Sequence, residues 1–271
     1  GCKYNFKIRN YKQKTKKRHL FFSFYDLCTM NLIVDAGNTF VKLAVFEKET
    51  MLYYQKVTVM DFSKKVKEFF DYYPDIGSAI ISSVGHLDKK HIDLVSIFCK
   101  VHLLTHKSKT PFKNSYATPE KLGVDRIALA TSAFYHNPHG NTLVIDAGTC
   151  ITYDMVNDYD EYLGGAISPG LQMRFNAMHH QTSNLPSLEP GDPLDFIGNT
   201  TETGMQSGVV YGICNEIDGL IDQYSSRFTD LTVILTGGDA QFLSKRLKNT
   251  IFAHSNFLLE GLNYLLEYNK H

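Results

Sequence analysis

Short blocks of apolar residues alternate with polar turns along most of the chain, and their order carries information. Residues 31–36, 41–46 and 51–59 are rich in β-branched and aromatic side chains, which predicts a three-strand meander. The period then lengthens: 62–72 reads as helix, 78–82 as strand, 88–98 as helix and 101–104 as strand. Residues 105–122 contain Pro111 and Pro119 among lysines, serines and threonines and read as a loop long enough to be functional. Val124, Ile127, Ala128, Thr131 and Phe134 then fall at helical spacing. The second half repeats the theme, with strands at 141–147, 150–156 and 162–167 and helices near 170–181 and 203–225. A strand at 231–235 and helices at 239–248 and 257–267 complete the pattern.

Inside that pattern one motif occurs twice. Leu32–Thr39 (LIVDAGNT) returns as Leu143–Thr149 (LVIDAGT), each an apolar strand ending in Asp, then a small-residue turn. An Asp at a strand end can hold a metal ion or a water, and the glycine lets the following amides approach a phosphate closely. One copy alone reads equally well as an ordinary turn. Two copies about a domain apart predict related half-domains, 30–140 and 141–271, facing each other across a nucleotide cleft.

Charge changes the picture of the first 29 residues. They carry eight of the 28 lysines and arginines and a single acid, Asp26, leaving 20 basic against 27 acidic residues in the remainder. An acidic body argues against nucleic acid as the main ligand. The apolar run Leu20–Tyr25 is too short for a signal core, so residues 1–29 are expected to be a disordered or non-native leader, with Met30 a natural start. No uninterrupted apolar run of about 18 residues exists, which argues against a membrane span. Five scattered cysteines without a CxxC pair fit a reducing cytoplasm and offer no zinc or disulfide framework.

Two further features invite a choice. Gly204, Gly208 and Gly212 recur every fourth residue on the long predicted helix, a spacing for close packing against another helix, within the subunit or across a dimer. His179-His180 lack a further ligand at suitable spacing and read as solvated surface.

Six motifs in order make the chain similar to the type III pantothenate kinases over nearly all of residues 30–271. They are DAGNT at 35–39, GVDR at 123–126, DAGT at 146–149, GGAISPG at 164–170, TETGMQSG at 201–208 and TGGDA at 236–240, with LLEGL at 258–262 resembling the family's end. The resemblance implies an α/β fold: two ribonuclease-H-like, actin-like ATPase half-domains with mixed sheets flanked by helices. It also implies ATP-dependent phosphorylation of pantothenate, the first step of coenzyme A synthesis, in a cytoplasmic homodimer whose second subunit completes the pantothenate site.

By the same resemblance Asp35, Ala36, Gly37, Asn38, Thr39, Phe40, Val41 and Lys42 form the ATP-phosphate segment, with Asp35 on Mg2+ and Thr149 also on ATP. Lys42 taken alone could equally be a surface strand lysine. Asp125 is the implied general base within a substrate-binding Gly123-Val124-Asp125-Arg126 segment, although an acid in a first helical turn is also routine capping. Arg126 is the expected partner of the substrate carboxylate. Tyr116 and Thr201 are implied pantothenate contacts, Thr201 being equally readable as a helix N-cap. Asp146 is implied to bind a monovalent cation, K+ or NH4+, while its chemistry alone would suit Mg2+. Gly237-Gly238 is expected to admit nucleotide to the backbone, and Gly164, Gly165 and Gly170 to shape the substrate pocket floor. Another small-molecule kinase, or a non-catalytic transcription accessory factor, are the competing readings.

Overall fold

The computed structural model describes residues 30–37, 40–83 and 87–270. The expected leader and the phosphate-segment residues Asn38 and Thr39 lie outside the described residues. The first half holds strands β1 (Met30–Ala36), β2 (Val41–Glu47) and β3 (Thr50–Val57), helix α1 (Val59–Tyr72), strand β4 (Ile76–Ser83), helix α2 (Lys89–Ser96) and strand β5 (Lys100–Leu103). A two-residue strand β6 (Lys113–Asn114), a 3-10 turn and helix α3 (Val124–His136) follow. The second half contains β7 (Thr142–Ala147), β8 (Cys150–Val156), β9 (Glu161–Pro169), α4 (Leu171–Gln181), α5 (Thr201–Arg227), β10 (Thr232–Thr236), α6 (Ala240–Ser244), β11 (Phe252–Ala253) and α7 (Phe257–Asn269).

The two sheets share one topology. Their orders are β3-β2-β1-β4-β5 and β11-β10-β7-β8-β9-β6, so the second, read backwards, repeats the first with β6 added at its edge. In each, an antiparallel meander is extended by parallel strands on the far side of its first member. Strand alternation sends successive side chains to opposite faces. Leu32, Val34 and Ala36 join Phe62, Val66 and Phe69 of α1 on one face, while Ile33 points to the other. Phe62, Val66, Phe69 and Phe70 form the buried stripe of α1, each contributing roughly 1.5–3 kcal/mol.

The inner faces of both sheets meet a middle layer made of α3 and α7. Ile33, Phe46 and Ile80 of the first sheet and Val144, Val156 and Ile234 of the second lie in one core with Ile127, Leu129, Leu259, Leu262 and Leu265. The two helices touch backbone to backbone: a Cβ on Gly261 would sit 2.0 Å from the Ala128 carbonyl oxygen. Helices α4, α5 and α6 contribute to the core on the outer face of the second sheet. The layer order is therefore helix, sheet, helix pair, sheet, helix.

Local chemistry accounts for the shifted boundaries. α1 starts at Val59 rather than near 62 because Thr58 Oγ1 caps it, accepting from Asp61 N at 3.2 Å. The predicted helix over 239–248 is only Ala240–Ser244, and the long loop contains β6, which pairs with β9. No helix among the described residues is long and apolar enough to cross a membrane.

Candidate active site

Asp35 and Asp146 sit one residue before the ends of β1 and β7. Asp35 is flanked by Lys42 on β2 and Ser82 on β4; Asp146 is flanked by Thr152 on β8 and Thr236 on β10. These are corresponding positions of the duplicated sheet. After each, a turn closes on the backbone, Gly37 N to Phe40 O at 3.1 Å and Gly148 N to Cys150 O at 3.0 Å. Ala36 and Val41 are buried strand residues beside the first turn, and Phe40 is exposed on it.

Lys42 Nζ donates to Asp35 Oδ2 at 2.9 Å, with Asp35 itself buried. Burial pulls the Lys42 ammonium down, but Asp35, with Asp146 beyond it, outweighs this and holds it above its usual value. Burial pushes the Asp146 carboxyl up to about 7; Lys42 opposes the shift, and Asp125, Asp35 and Asp154 reinforce it. Asp125 is likewise pushed up, by burial and by Asp35, against the pull of its bond from Arg126 N at 2.9 Å. Three carboxylates from β1, α3 and β7 thus feel one another's charge, with Lys42 countering two of them.

Glycines set the clearances. A Cβ on Gly123 would fall 2.5 Å from Asp125 Oδ1, so the Asp125 carboxyl folds back into space that glycine leaves. Gly237, at φ +97°, lies against the second motif: a Cβ there would meet Ala147 O at 2.3 Å and Asp146 Oδ1 at 2.4 Å. Gly170 N donates to Thr149 O at 3.1 Å, leaving the Thr149 side chain exposed on the turn.

Arg126 has internal partners. Its guanidinium is buried, Nε donates to Asp154 Oδ1 at 2.7 Å, and Nη2 reaches the Tyr153 carbonyl at 3.4 Å. Tyr162 OH also donates to Asp154 Oδ1, at 2.8 Å. The charge assigned to a substrate carboxylate is therefore neutralised by an internal partner. Tyr116 packs beside this pair, its ring 5.8 Å from the Arg126 guanidinium carbon and 6.2 Å from Tyr162. Val124 packs against the central core. Asp154 is the residue that sequence reasoning missed.

Thr201 is not an N-cap. Thr200 caps α5 through a reciprocal box with Thr203, and Thr201 lies exposed in the first turn. A Cβ on Gly204, Gly208, Gly212 or Gly219 would meet nothing within 4 Å among the described residues, so no described helix packs on that stripe, although Gly198 lies against the Gly204 backbone. His179 is half-buried, its Nδ1 2.7 Å from the Leu185 carbonyl, rather than a freely solvated side chain.

A duplicated mixed sheet with acidic ends on its corresponding strands defines an actin-like ATPase fold. Solved structures agree on the fold. A glucokinase from an Antarctic psychrotroph superposes with a TM-score of 0.50 at 12% identity, covering 89% of this chain and 99% of that one. A Campylobacter jejuni protein described as a candidate Baf family transcriptional activator gives 0.53 at 22% identity, covering 88% and 98%. The sequence profile described as "Type III pantothenate kinase" matches residues 31–223. Type III pantothenate kinases of Flavobacterium johnsoniae and Christiangramia forsetii are 47% and 49% identical, over 88% and 89% of this chain and 98% and 99% of theirs. The chain belongs to the type III pantothenate kinase family, an enzyme family, so its activity is the ATP-dependent phosphorylation of pantothenate, the first step of coenzyme A biosynthesis.

Proposed function

We propose that Asp125 is the general base of this phosphoryl transfer, in a cleft whose opposite walls are the two Asp-Ala-Gly turns. The observation that carries the reading is the mutual electrostatic coupling of Asp35, Asp125 and Asp146, three acids distant in sequence. Phosphoryl transfer needs in-line positioning, charge neutralisation and a proton acceptor for the attacking alcohol. Asp125 accepts the proton of the primary hydroxyl of pantothenate as that oxygen attacks the γ-phosphorus and ADP leaves.

The ATP phosphates lie along residues 35–42, including Asn38 and Thr39, with Thr149 on the facing turn. Lys42 supplies a positive charge near them. Gly237 keeps the nucleotide approach clear. The oxygen donors of Asp35 and Asp146, with Lys42 opposing them, fit hard cations. Asp35 would hold Mg2+ and Asp146 a monovalent cation, K+ or NH4+, which when bound would neutralise phosphate charge. Tyr116, Gly123, Val124 and Arg126 bind pantothenate, Arg126 through the guanidinium hydrogens that Asp154 and Tyr153 leave. The half-domains divide near residue 140, and the enzyme acts in the cytoplasm.

The open glycine stripe of α5 and the exposed Thr201 beside it support a homodimer in which Thr201 reaches the pantothenate of the partner subunit. A coupled ADP-release assay tests the whole reading. Turnover with pantothenate and none with hexoses is expected. ATP binding without turnover on pantothenate would overturn it.

A further inference from the structure

Far from the carboxylate cleft, three ligating side chains from separate elements converge. His136 is the last residue of α3, His254 follows β11, and Glu260 lies in the first turn of α7. His136 Nε2 is 2.7 Å and His254 Nε2 3.4 Å from the same oxygen, Glu260 Oε2. All three donor atoms lie within 4.8 Å of one another. Phe257 braces both imidazoles, with ring centroids 5.2 Å from His136 and 5.4 Å from His254.

We propose that His136, His254 and Glu260 form a site for one divalent transition-metal ion of the zinc class, clipping the end of α3 to the start of α7. The donor set is two imidazoles and one carboxylate, the composition that zinc accepts with a fourth position left open. Zinc–ligand bonds of about 2.0–2.1 Å put neighbouring donors of a tetrahedron roughly 3.3 Å apart. The separations of the two imidazoles from Glu260 Oε2, 2.7 and 3.4 Å, bracket that value. Two Nε2 atoms aimed at one carboxylate oxygen need a proton between each pair, and a single divalent ion replaces both. Partial negative charge at the C-terminus of α3 favours a cation beside His136. His136 and Phe257 also line a groove of about 340 Å³ with Asn137, Thr142, Thr232 and Phe252, which leaves room for a water or an exogenous ligand.

The site is separate from catalysis. Asp125 and His136 stand at opposite ends of α3, about 17 Å apart at 1.5 Å per residue. The ion would hold in place the helix that carries the base, and would tie it to the strand β11 side of the second sheet. Its role is to stiffen the middle layer.

The test uses the full chain, stripped with a chelator and kept in Mg2+ to occupy the catalytic cleft. Zn2+ is titrated calorimetrically and Co2+ by visible absorption. One ion per chain is expected, together with a higher melting temperature in Zn2+. His254→Gln, at a partly exposed side chain, should weaken Zn2+ binding at least tenfold and abolish the Co2+ spectrum while pantothenate phosphorylation stays unchanged. Glu260→Gln, which keeps the shape but not the charge, should weaken it similarly. Absence of binding, or binding that survives both substitutions in variants whose circular dichroism matches the parent, would overturn the proposal.

Discussion

Asp35 and Asp146 occupy the same place in two copies of one sheet, each the penultimate residue of the strand that begins its meander. The two acids feel each other's charge, and Asp35 has Lys42 bonded directly to it. Burial, reinforced by Asp125, Asp35 and Asp154 and opposed by Lys42, pushes the Asp146 carboxyl up to about 7. An unfolded aspartate titrates near 3.9, so the folded chain holds the extra proton between these values. This contribution to stability is complete below about pH 4 and is lost as pH rises through about 7. Asp146→Asn should therefore melt higher than the parent at pH 8, without added potassium, and the gap should close towards pH 4. The same variant should lose any dependence of turnover on potassium. Equal melting temperatures at pH 8 would show that Asp146 carries no such penalty.

Asp125→Asn removes the proposed proton acceptor while leaving the helix start intact. A carboxylate base contributes a factor of about 10² to 10⁴, so kcat should fall by that much with ATP affinity retained. Burial and Asp35 both hold the Asp125 carboxyl above the usual range. Only the deprotonated form can accept a proton, so the acid limb of the kcat profile should lie at higher pH than a free carboxylate would give. Steady-state kinetics across pH, with nucleotide binding measured separately, checks both statements.

Gly123→Ala gives a finer probe of the same group. The backbone at Gly123, with φ −57°, accepts alanine without strain, but the new methyl would land 2.5 Å from Asp125 Oδ1. The carboxyl must swing away, which is cheap for the fold and costly for the base. Expected is a fall in kcat of roughly tenfold or more, since misplacement by about 1 Å can cost on the order of 100-fold, with an unchanged melting temperature. A drop in melting temperature without a kinetic effect would contradict the assignment.

Much of this arrangement could be read from residues alone, for physical reasons. β1 and β7 announce themselves because apolar β-branched runs bounded by small-residue turns have few other homes. β6 and β11 escaped because two-residue strands exist only through their partners, β9 and β10. Asp154 escaped for a different reason. A lone acid inside a strand normally faces water, but the inner face of the second sheet is covered by α3, so Asp154 is fully buried against Arg126. Thr200 hid beside Thr201 because the third residue of its capping box is Thr203, not the usual Glu or Gln. His136, His254 and Glu260 meet only after folding; more than a hundred residues separate the first from the others.

The Arg126–Asp154 pair is buried on both sides, with side-chain exposures of 6% and 0%. Removing one member of such a pair leaves an uncompensated charge, which costs about 3–5 kcal/mol, whereas replacing both by apolar groups is often neutral. Asp154→Asn should thus lower the urea midpoint markedly, and Arg126→Met with Asp154→Leu should recover much of the loss. The double variant should fold yet bind pantothenate poorly, because Tyr116 stacks beside the lost guanidinium. A double variant no more stable than the single would place the loss on the Tyr162 hydroxyl, which donates to Asp154, rather than on the ion pair.

A Cβ on Gly208, Gly212 or Gly219 of α5 would meet nothing within 4 Å among the described residues, whereas the backbone of Gly204 has Gly198 against it. Glycine inside a helix costs about 1 kcal/mol relative to alanine. A second helix approaching closely across this stripe would offset that cost. Gly208→Leu meets open space in the single chain and should leave its fold and ATP binding intact. If the stripe is the dimer face, the side chain will hold two copies apart. Sedimentation equilibrium should then show a dimer for the parent and a monomer for the variant. The KM for pantothenate should rise because Thr201 no longer reaches across, while the KM for ATP stays put. A parent that sediments as a monomer, or a variant that remains a dimer, would move the interface elsewhere on the molecule.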